Sequence, residues 1–314
     1  MQINNPIIEL LKHKNYIIID GALASELQRR GCDLNDSLWS AKVLIEQPEL
    51  IKQVHYDYFK AGADCAITAS YQATPRGFAQ KGMDNTQSIA LIKKSVELAQ
   101  QAKQRYLAEI PQHKPLLIAG SVGPYGAYLA NGSEYTGDYQ LSESEFIDFH
   151  RIRMQALIEA EVDLLACETM PCFAEIKALS KLLQQFPHMT CWFSMTLKDA
   201  KHISDGTPLS IVVEYLNQVD QVIAIGVNCI ALDKVTSALT TLQQLTAKPL
   251  IVYPNSGEQY DPSTKQWHHN PQHNCTFTNQ IAIWTKLGAK LIGGCCQTTP
   301  SDIVEISHLL VNEK

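Results

Sequence analysis

The stretch Val222-Ile223-Ala224-Ile225-Gly226-Val227-Asn228-Cys229 is an apolar run that does not alternate with polar residues and stops at Asn228-Cys229. A run of this length, rich in β-branched residues, suits a parallel strand buried on both faces. Similar runs recur at residues 16–20, 64–69, 115–121, 162–168, 190–195, 249–254 and 289–294. Helical patterns separate them, among others at 48–61, 85–107, 142–160 and 172–186. The boundaries carry cap chemistry. Ser142-x-x-Glu145 reads as a capping box, Thr299-Pro300 as a cap followed by proline at the first helical position, and Gly62 and Gly288 as helix stops. Eight strands alternating with helices predict an α/β fold, a single (β/α)8 TIM barrel, preceded by a short helix at about 6–13. A doubly wound open sheet is the alternative, but no Gly-x-Gly-x-x-Gly follows the first strand to support it. Without linker, repeat or low-complexity tract, residues 1–314 read as one domain.

With 314 residues, 45% of them hydrophobic and 18% charged, the chain can bury a large core. A net charge of −6 with no long basic run argues against nucleic acid or an anionic membrane as partner. No segment approaches the roughly 18 consecutive apolar residues of a membrane span, and Met1-Gln2-Ile3-Asn4-Asn5 lacks the basic and apolar regions of a signal peptide. A cytoplasmic protein is expected, and a monomer rather than an obligate oligomer.

Nine cysteines in such a chain do not form a disulfide framework. Cys65, Cys167 and Cys191 lie inside apolar runs and read as small buried hydrophobes. Cys229 and the pair in Ile292-Gly293-Gly294-Cys295-Cys296 differ, because each stands where a strand should end. Active-site groups of a barrel come from the C-terminal strand ends and the loops after them. Cys229 ends the sixth run and the pair ends the eighth, and alternate barrel strands feed one interior layer, so three sulfurs can meet there. Adjacent residues of an ideal strand point to opposite faces; Gly293-Gly294 is expected to supply the departure from strand geometry that lets Cys295 and Cys296 share one ion. Three thiolates favour zinc, with the fourth tetrahedral position open for chemistry. Buried structural thiols are the alternative. The other strand ends are also polar or glycine-rich: Asp20-Gly21-Ala22, Thr68-Ala69-Ser70-Tyr71-Gln72, Glu168-Thr169 and Tyr253-Pro254-Asn255-Ser256-Gly257-Glu258. A long loop runs through Gly132-Ser133-Glu134-Tyr135. An isolated Asp-Gly is commonly just a turn, but polar groups at the same end of every strand imply a functional rim.

From about Asp20 to Pro300 these motifs, with Gly120-Ser121-Val122-Gly123-Pro124-Tyr125-Gly126 and Gly293-Gly294-Cys295-Cys296-Gln297-Thr298-Thr299-Pro300, resemble the homocysteine S-methyltransferase family. The match is strongest to its stand-alone members that use S-methylmethionine. The resemblance implies a zinc-dependent methyltransferase making methionine from homocysteine, with one Zn²⁺ per chain on Cys229, Cys295 and Cys296. It implies that Asp20 and Glu168 hold the substrate ammonium and backbone N–H groups near Gly21 and Ala22 its carboxylate. Tyr71 would lie beside the reacting sulfur or the donor, with Asn228 and Thr298 as supporting or donor-side groups and Trp39 facing the donor. Ser70 and Thr169 stand where betaine-using members carry aromatics. The chain ends soon after the last helix, without room for a folate or cobalamin module. The expected donor is therefore a sulfonium, S-methylmethionine first and S-adenosylmethionine second. A non-catalytic zinc- or thiol-responsive binding protein, and a selenocysteine-preferring methyltransferase, are the competing readings.

Overall fold

The computed structural model describes residues 5–36, 38–110, 115–257, 259–261, 266–268 and 275–312. Glu258, the last residue of the 253–258 motif, lies outside them.

The eight apolar runs all become strands of one sheet: β1 Ile17–Ile18, β2 Cys65–Ile67, β3 Leu117–Val122, β4 Leu164–Met170, β5 Cys191–Met195, β6 Val222–Asn228, β7 Leu250–Tyr253 and β8 Ala289–Ile292. Their order is β1-β8-β7-β6-β5-β4-β3-β2, and every neighbouring pair is parallel. A parallel bridge from Ile19 to Cys65 joins the two ends, with the Asp20 N–H donating to the Cys65 carbonyl at 3.0 Å. The ring is thereby closed into a (β/α)8 barrel. Outside it lie α1 Pro48–Ala61, α2 Asn85–Glu109, α3 Glu143–Glu159, α4 Phe173–Leu183, α5 Leu209–Asn217, α6 Val235–Leu242, α7 Phe277–Lys286 and α8 Pro300–Asn312.

The caps form as their residue types dictate. Ser142 and Glu145 make a reciprocal capping box at α3, and the Asp302 N–H donates to Thr299 Oγ1 at the start of α8. Gly62 takes φ +111° after α1, a value that glycine adopts at little cost.

Strand alternation divides the core. Ile17 and Ile19 point into the barrel with Leu117, Leu164, Trp192, Ile251 and Leu291. Ile18 points outward into the larger layer between sheet and helices. Ile7 and Leu10 of the helix Pro6–Leu11 join the interior set, so this helix plugs one end of the barrel. Cys65, Cys167 and Cys191 are buried apolar packing groups, as their context predicted. Two antiparallel pairings fall outside the sequence-based expectation: Leu197–Asp199 with His202–Ile203 after β5, and Gln259–Asp261 with Gln266–His268 after β7. Their short polar-rich segments carry no long apolar run to announce them.

Candidate metal centre and substrate cavity

At the C-terminal rim the Cys229, Cys295 and Cys296 sulfurs all lie within 4.8 Å of one another. Cys229 and Cys296 Sγ are 3.6 Å apart. Four ligands about 2.3 Å from a tetrahedral zinc stand about 3.8 Å from each other, so the spacing and the donor chemistry fit such an ion. The three thiols also perturb each other's titration. Sulfur contacts from Cys295 and Cys296 push the Cys229 thiol well below its usual range. Cys295 is pushed well up, first by its contact with Cys229 and then by burial among the other sulfurs. Three thiolates cannot coexist at this distance without a cation between them.

The segment after β7 holds the cluster together. The Cys229 N–H donates to the Tyr253 carbonyl at 3.1 Å and the Cys295 N–H to the Pro254 carbonyl at 2.7 Å; the Ser256 N–H donates to the Cys296 carbonyl at 3.1 Å. One short stretch thus grips the cysteines of β6 on one side and of β8 on the other.

The required departure from strand geometry occurs, but not by the means the sequence suggested. Neither Gly293 nor Gly294 has positive φ; the left-handed residues are Cys229 at +52° and Gln297 at +66°. The glycines are demanded by crowding. A Cβ on Gly293 would sit 2.6 Å from the Ile19 Cβ, and one on Gly294 would sit 2.6 Å from the Thr298 Cβ. Cys295 and Cys296 leave the strand because β8 stops at Ile292 and a turn follows, closed by the Thr298 N–H on the Cys295 carbonyl at 3.1 Å.

A cavity of about 430 Å³ opens over the sulfurs, within the range of small-molecule sites. Asp20, Gly21, Ala22, Tyr71, Glu168 and all three cysteines line it. Asp20 is buried, and its Oδ2 accepts the Ile67 N–H at 2.9 Å. Desolvation raises its carboxyl well above the ordinary range, and nearby Glu168 adds to the rise. Glu168 accepts from Ser121 Oγ, and burial lifts it to about 7 against the lowering effect of Ser121 and Tyr253. The two carboxyls form an acidic corner whose ionised state a cation would stabilise.

Gly21 is fixed by close approach, since a Cβ there would lie 2.8 Å from the Tyr58 hydroxyl. The Ala22 N–H already donates to Thr298 Oγ1 at 3.0 Å. The Ala22 N–H is thus occupied within the fold, and Gly21 stands beside it on the cavity wall. Asn228 takes the supporting place that was one of its two expected roles. It is fully buried and does not line the cavity. Its Oδ1 accepts the Thr169 N–H and its Nδ2 donates to Thr169 Oγ1, both at 2.8 Å. Its amide therefore clamps Thr169, held at φ +60°, instead of touching a small molecule. Trp39 meets Tyr71 edge-on at 6.2 Å, so both rings stand on the cavity wall.

Residues that the sequence did not single out as site groups come from the loop after β3. Glu134 and Tyr135 line the cavity. The Tyr135 hydroxyl is 3.3 Å from Cys229 Sγ. The Glu134 carbonyl accepts from Thr196 Oγ1 at the end of β5, at 2.9 Å. Glu134 Oε2 is buried without a hydrogen-bond partner, and desolvation raises this carboxyl to about 7. Their presence in a long polar loop was the only sequence signal; a contact to a strand two further on is not visible there.

Behind this loop lies a buried ionic network. Arg153 donates to the Tyr71 carbonyl at 2.7 Å and the Gly123 carbonyl at 2.5 Å, and pairs with His150 Nδ1 at 2.8 Å. His150 Nε2 is 2.7 Å from Glu175 Oε1. Since arginine can only donate, Nδ1 accepts and Nε2–H donates to Glu175, which makes His150 the neutral tautomer; burial lowers its pKa accordingly. Glu175 also accepts the Tyr125 N–H at 2.6 Å and the Tyr139 hydroxyl.

Residues 17–310 match the family model described as homocysteine S-methyltransferase. A homocysteine S-methyltransferase of Escherichia coli is 58% identical over 98% of this chain and 99% of its own length, and one of Bacillus subtilis 52% identical over 96% and 97%. A selenocysteine Se-methyltransferase of Brassica oleracea is 42% identical over 98% and 92%. The crystal structure of the metallated homocysteine methyltransferase MmuM from Escherichia coli superposes with a TM-score of 0.89 at 56% identity, covering 97% of this chain and 99% of that one.

Proposed function

Because the chain belongs to the homocysteine S-methyltransferase family and is a methyltransferase, we propose that it transfers a methyl group from a sulfonium donor, S-methylmethionine first, to homocysteine held at a zinc ion on Cys229, Cys295 and Cys296. The observation that carries this reading is the placement of three clustered sulfurs and the Asp20–Glu168 corner on the wall of one cavity. Zinc bound by these residues would supply an open position at which homocysteine is held as its thiolate, the nucleophilic form.

The chain's own groups do the rest. Asp20 and Glu168 receive the substrate ammonium, which favours their ionised forms against the burial that opposes them. The Gly21 N–H receives the carboxylate. With both ends of the amino acid fixed, the sulfur stands at one point, and most of the catalytic advantage comes from orientation. The Tyr135 hydroxyl, in contact with Cys229 Sγ, steadies that ligand. Tyr71 and Trp39 offer ring faces to the donor cation. A sulfonium leaves as a neutral thioether, so no acid is needed at the leaving group. The single chain supplies every described wall of this cavity, so we take the monomer as the active unit.

The test is methionine formation from homocysteine by zinc-loaded protein, offered S-methylmethionine, S-adenosylmethionine and betaine in parallel. Turnover with S-methylmethionine and none with betaine is expected. Turnover with betaine alone would overturn the donor assignment. Faster methylation of selenocysteine than of homocysteine under the same conditions would move the acceptor to the selenium amino acid.

A further inference from the structure

Among the described residues that line the cavity there is no lysine, arginine or histidine, whereas Asp20, Asp36, Glu134 and Glu168 all face it. Such a cavity favours cations. Three of the four carboxylates are already engaged. Asp36 pairs with Lys81 at 2.7 Å, Asp20 accepts the Ile67 N–H, and Glu168 accepts from Ser121. Glu134 accepts only from its own backbone, and its Oε2 is shielded from solvent and has no hydrogen-bond partner. An unpartnered buried carboxylate oxygen is costly, and the fold holds it in place deliberately. Thr196 Oγ1 anchors the Glu134 carbonyl, and Ser204 Oγ in turn donates to Thr196 Oγ1 at 2.8 Å.

Its position also points to one end of the reaction. The next residue, Tyr135, touches Cys229 Sγ, and Tyr71, close enough to feel the Glu134 charge, lines the same cavity with Trp39 against it. The Asp20–Glu168 corner takes the ammonium of the acceptor amino acid, which leaves the cationic centre of the donor without a counter-charge of its own. We propose that Glu134 is a donor-binding residue whose carboxylate faces the sulfonium of the methyl donor. The inference rests on the sulfonium-donor reading given above.

The decisive comparison uses wild type and Glu134→Gln, both zinc-loaded, with three measurements. The first is kcat/KM for S-methylmethionine. The second is inhibition by trimethylsulfonium, a cation with no amino-acid group. The third is the Kd of methionine, the neutral thioether product. Losing the facing charge should lower kcat/KM and weaken trimethylsulfonium inhibition, each by about 10- to 100-fold, with methionine binding changed less than about twofold. Equal inhibition of the two proteins by trimethylsulfonium, or an equal loss of methionine binding, overturns the assignment. If wild type turns over no sulfonium, the donor reading falls and this inference with it. If wild type does and Glu134→Gln matches it, only the inference falls. Should Glu134→Gln fail to fold, Glu134→Asp keeps the charge on a shorter arm. It should retain trimethylsulfonium inhibition, and its loss there would count against the proposal.

Discussion

At the scale of single residues, the cysteines and carboxylates of the rim make separable demands. On the proposed function each sulfur supplies one of three protein ligands to the zinc, and serine is a poor substitute for a soft thiolate donor. Cys296→Ser should therefore lose bound zinc and methyl transfer together while the barrel stays folded, read by metal analysis and far-UV circular dichroism; an active, zinc-free variant would contradict the assignment. Glu168 carries a pH prediction whose sign can be worked out. Burial raises its folded pKa to about 7 from an ordinary 4.5, with the Cys229 thiol adding to the rise and Ser121, Tyr253 and Arg153 opposing it; Asp20 faces it across the corner. A raised carboxyl favours the folded state fully below 4.5, and that stability is lost as pH climbs through 7. Ionisation above 7 is also what an ammonium requires, so homocysteine should bind better as pH rises across that value. Glu168→Gln should raise the homocysteine KM about 10- to 100-fold and flatten this part of the pH profile. A KM unchanged by the substitution would remove Glu168 from substrate binding.

At the scale of elements, the loop between β3 and α3 depends on a hydrogen-bond network buried where α3 and α4 meet. Glu175 on α4 accepts from His150, Tyr139 and the Tyr125 backbone, and Arg153 beside it holds the Tyr71 and Gly123 carbonyls. Replacing Glu175 with glutamine removes the carboxylate that accepts from His150 and, through it, offsets the buried Arg153 charge, and losing a buried charge-assisted hydrogen bond costs about 1 to 3 kcal/mol. Glu175→Gln should lower the urea midpoint accordingly. Because the same network steadies the loop that bears Glu134 and Tyr135, the KM for the donor should rise more than the KM for homocysteine. Equal changes in both would reduce the network to a purely structural role. This layer also marks the limit of what the sequence disclosed. The ends of β6 were readable to the residue because an unbroken apolar run has only one reading in a parallel sheet. The cysteines were readable because Gly-Gly-Cys-Cys at a strand end has few other uses. Glu134 and Tyr135 were not, since contacts such as Thr196 to the Glu134 carbonyl join residues 62 positions apart. The left-handed backbone of Cys229 was equally hidden, since no residue type announces it, and at Cys295 and Cys296 the preceding glycines invited the wrong explanation.

At the scale of the whole molecule, closure of the barrel brings distant motifs to one rim, and a metal at the proposed site would tie parts of that rim together. Cys229 follows β6 and the Cys295–Cys296 pair follows β8, with residues 253–256 between them as the common hydrogen-bonded strap. An ion shared by these sulfurs would link directly two walls that β7 and that strap already join by hydrogen bonds. A ligand that binds only the folded state stabilises it by mass action, by about 2.7 kcal/mol when its free concentration is a hundred times its Kd. Zinc added to metal-free protein should therefore raise Tm by several degrees in differential scanning calorimetry, and a chelator should reverse the rise. Homocysteine should add a second increment only when zinc is present, because its sulfur has no partner without the ion, whereas Asp20 and Glu168 alone hold just its ammonium. Cys229→Ser should abolish both increments. A zinc-induced rise that survives in Cys229→Ser would place the ion elsewhere on the molecule, and a homocysteine increment that does not need zinc would shift the binding energy from the sulfur end of the substrate to its amino-acid end.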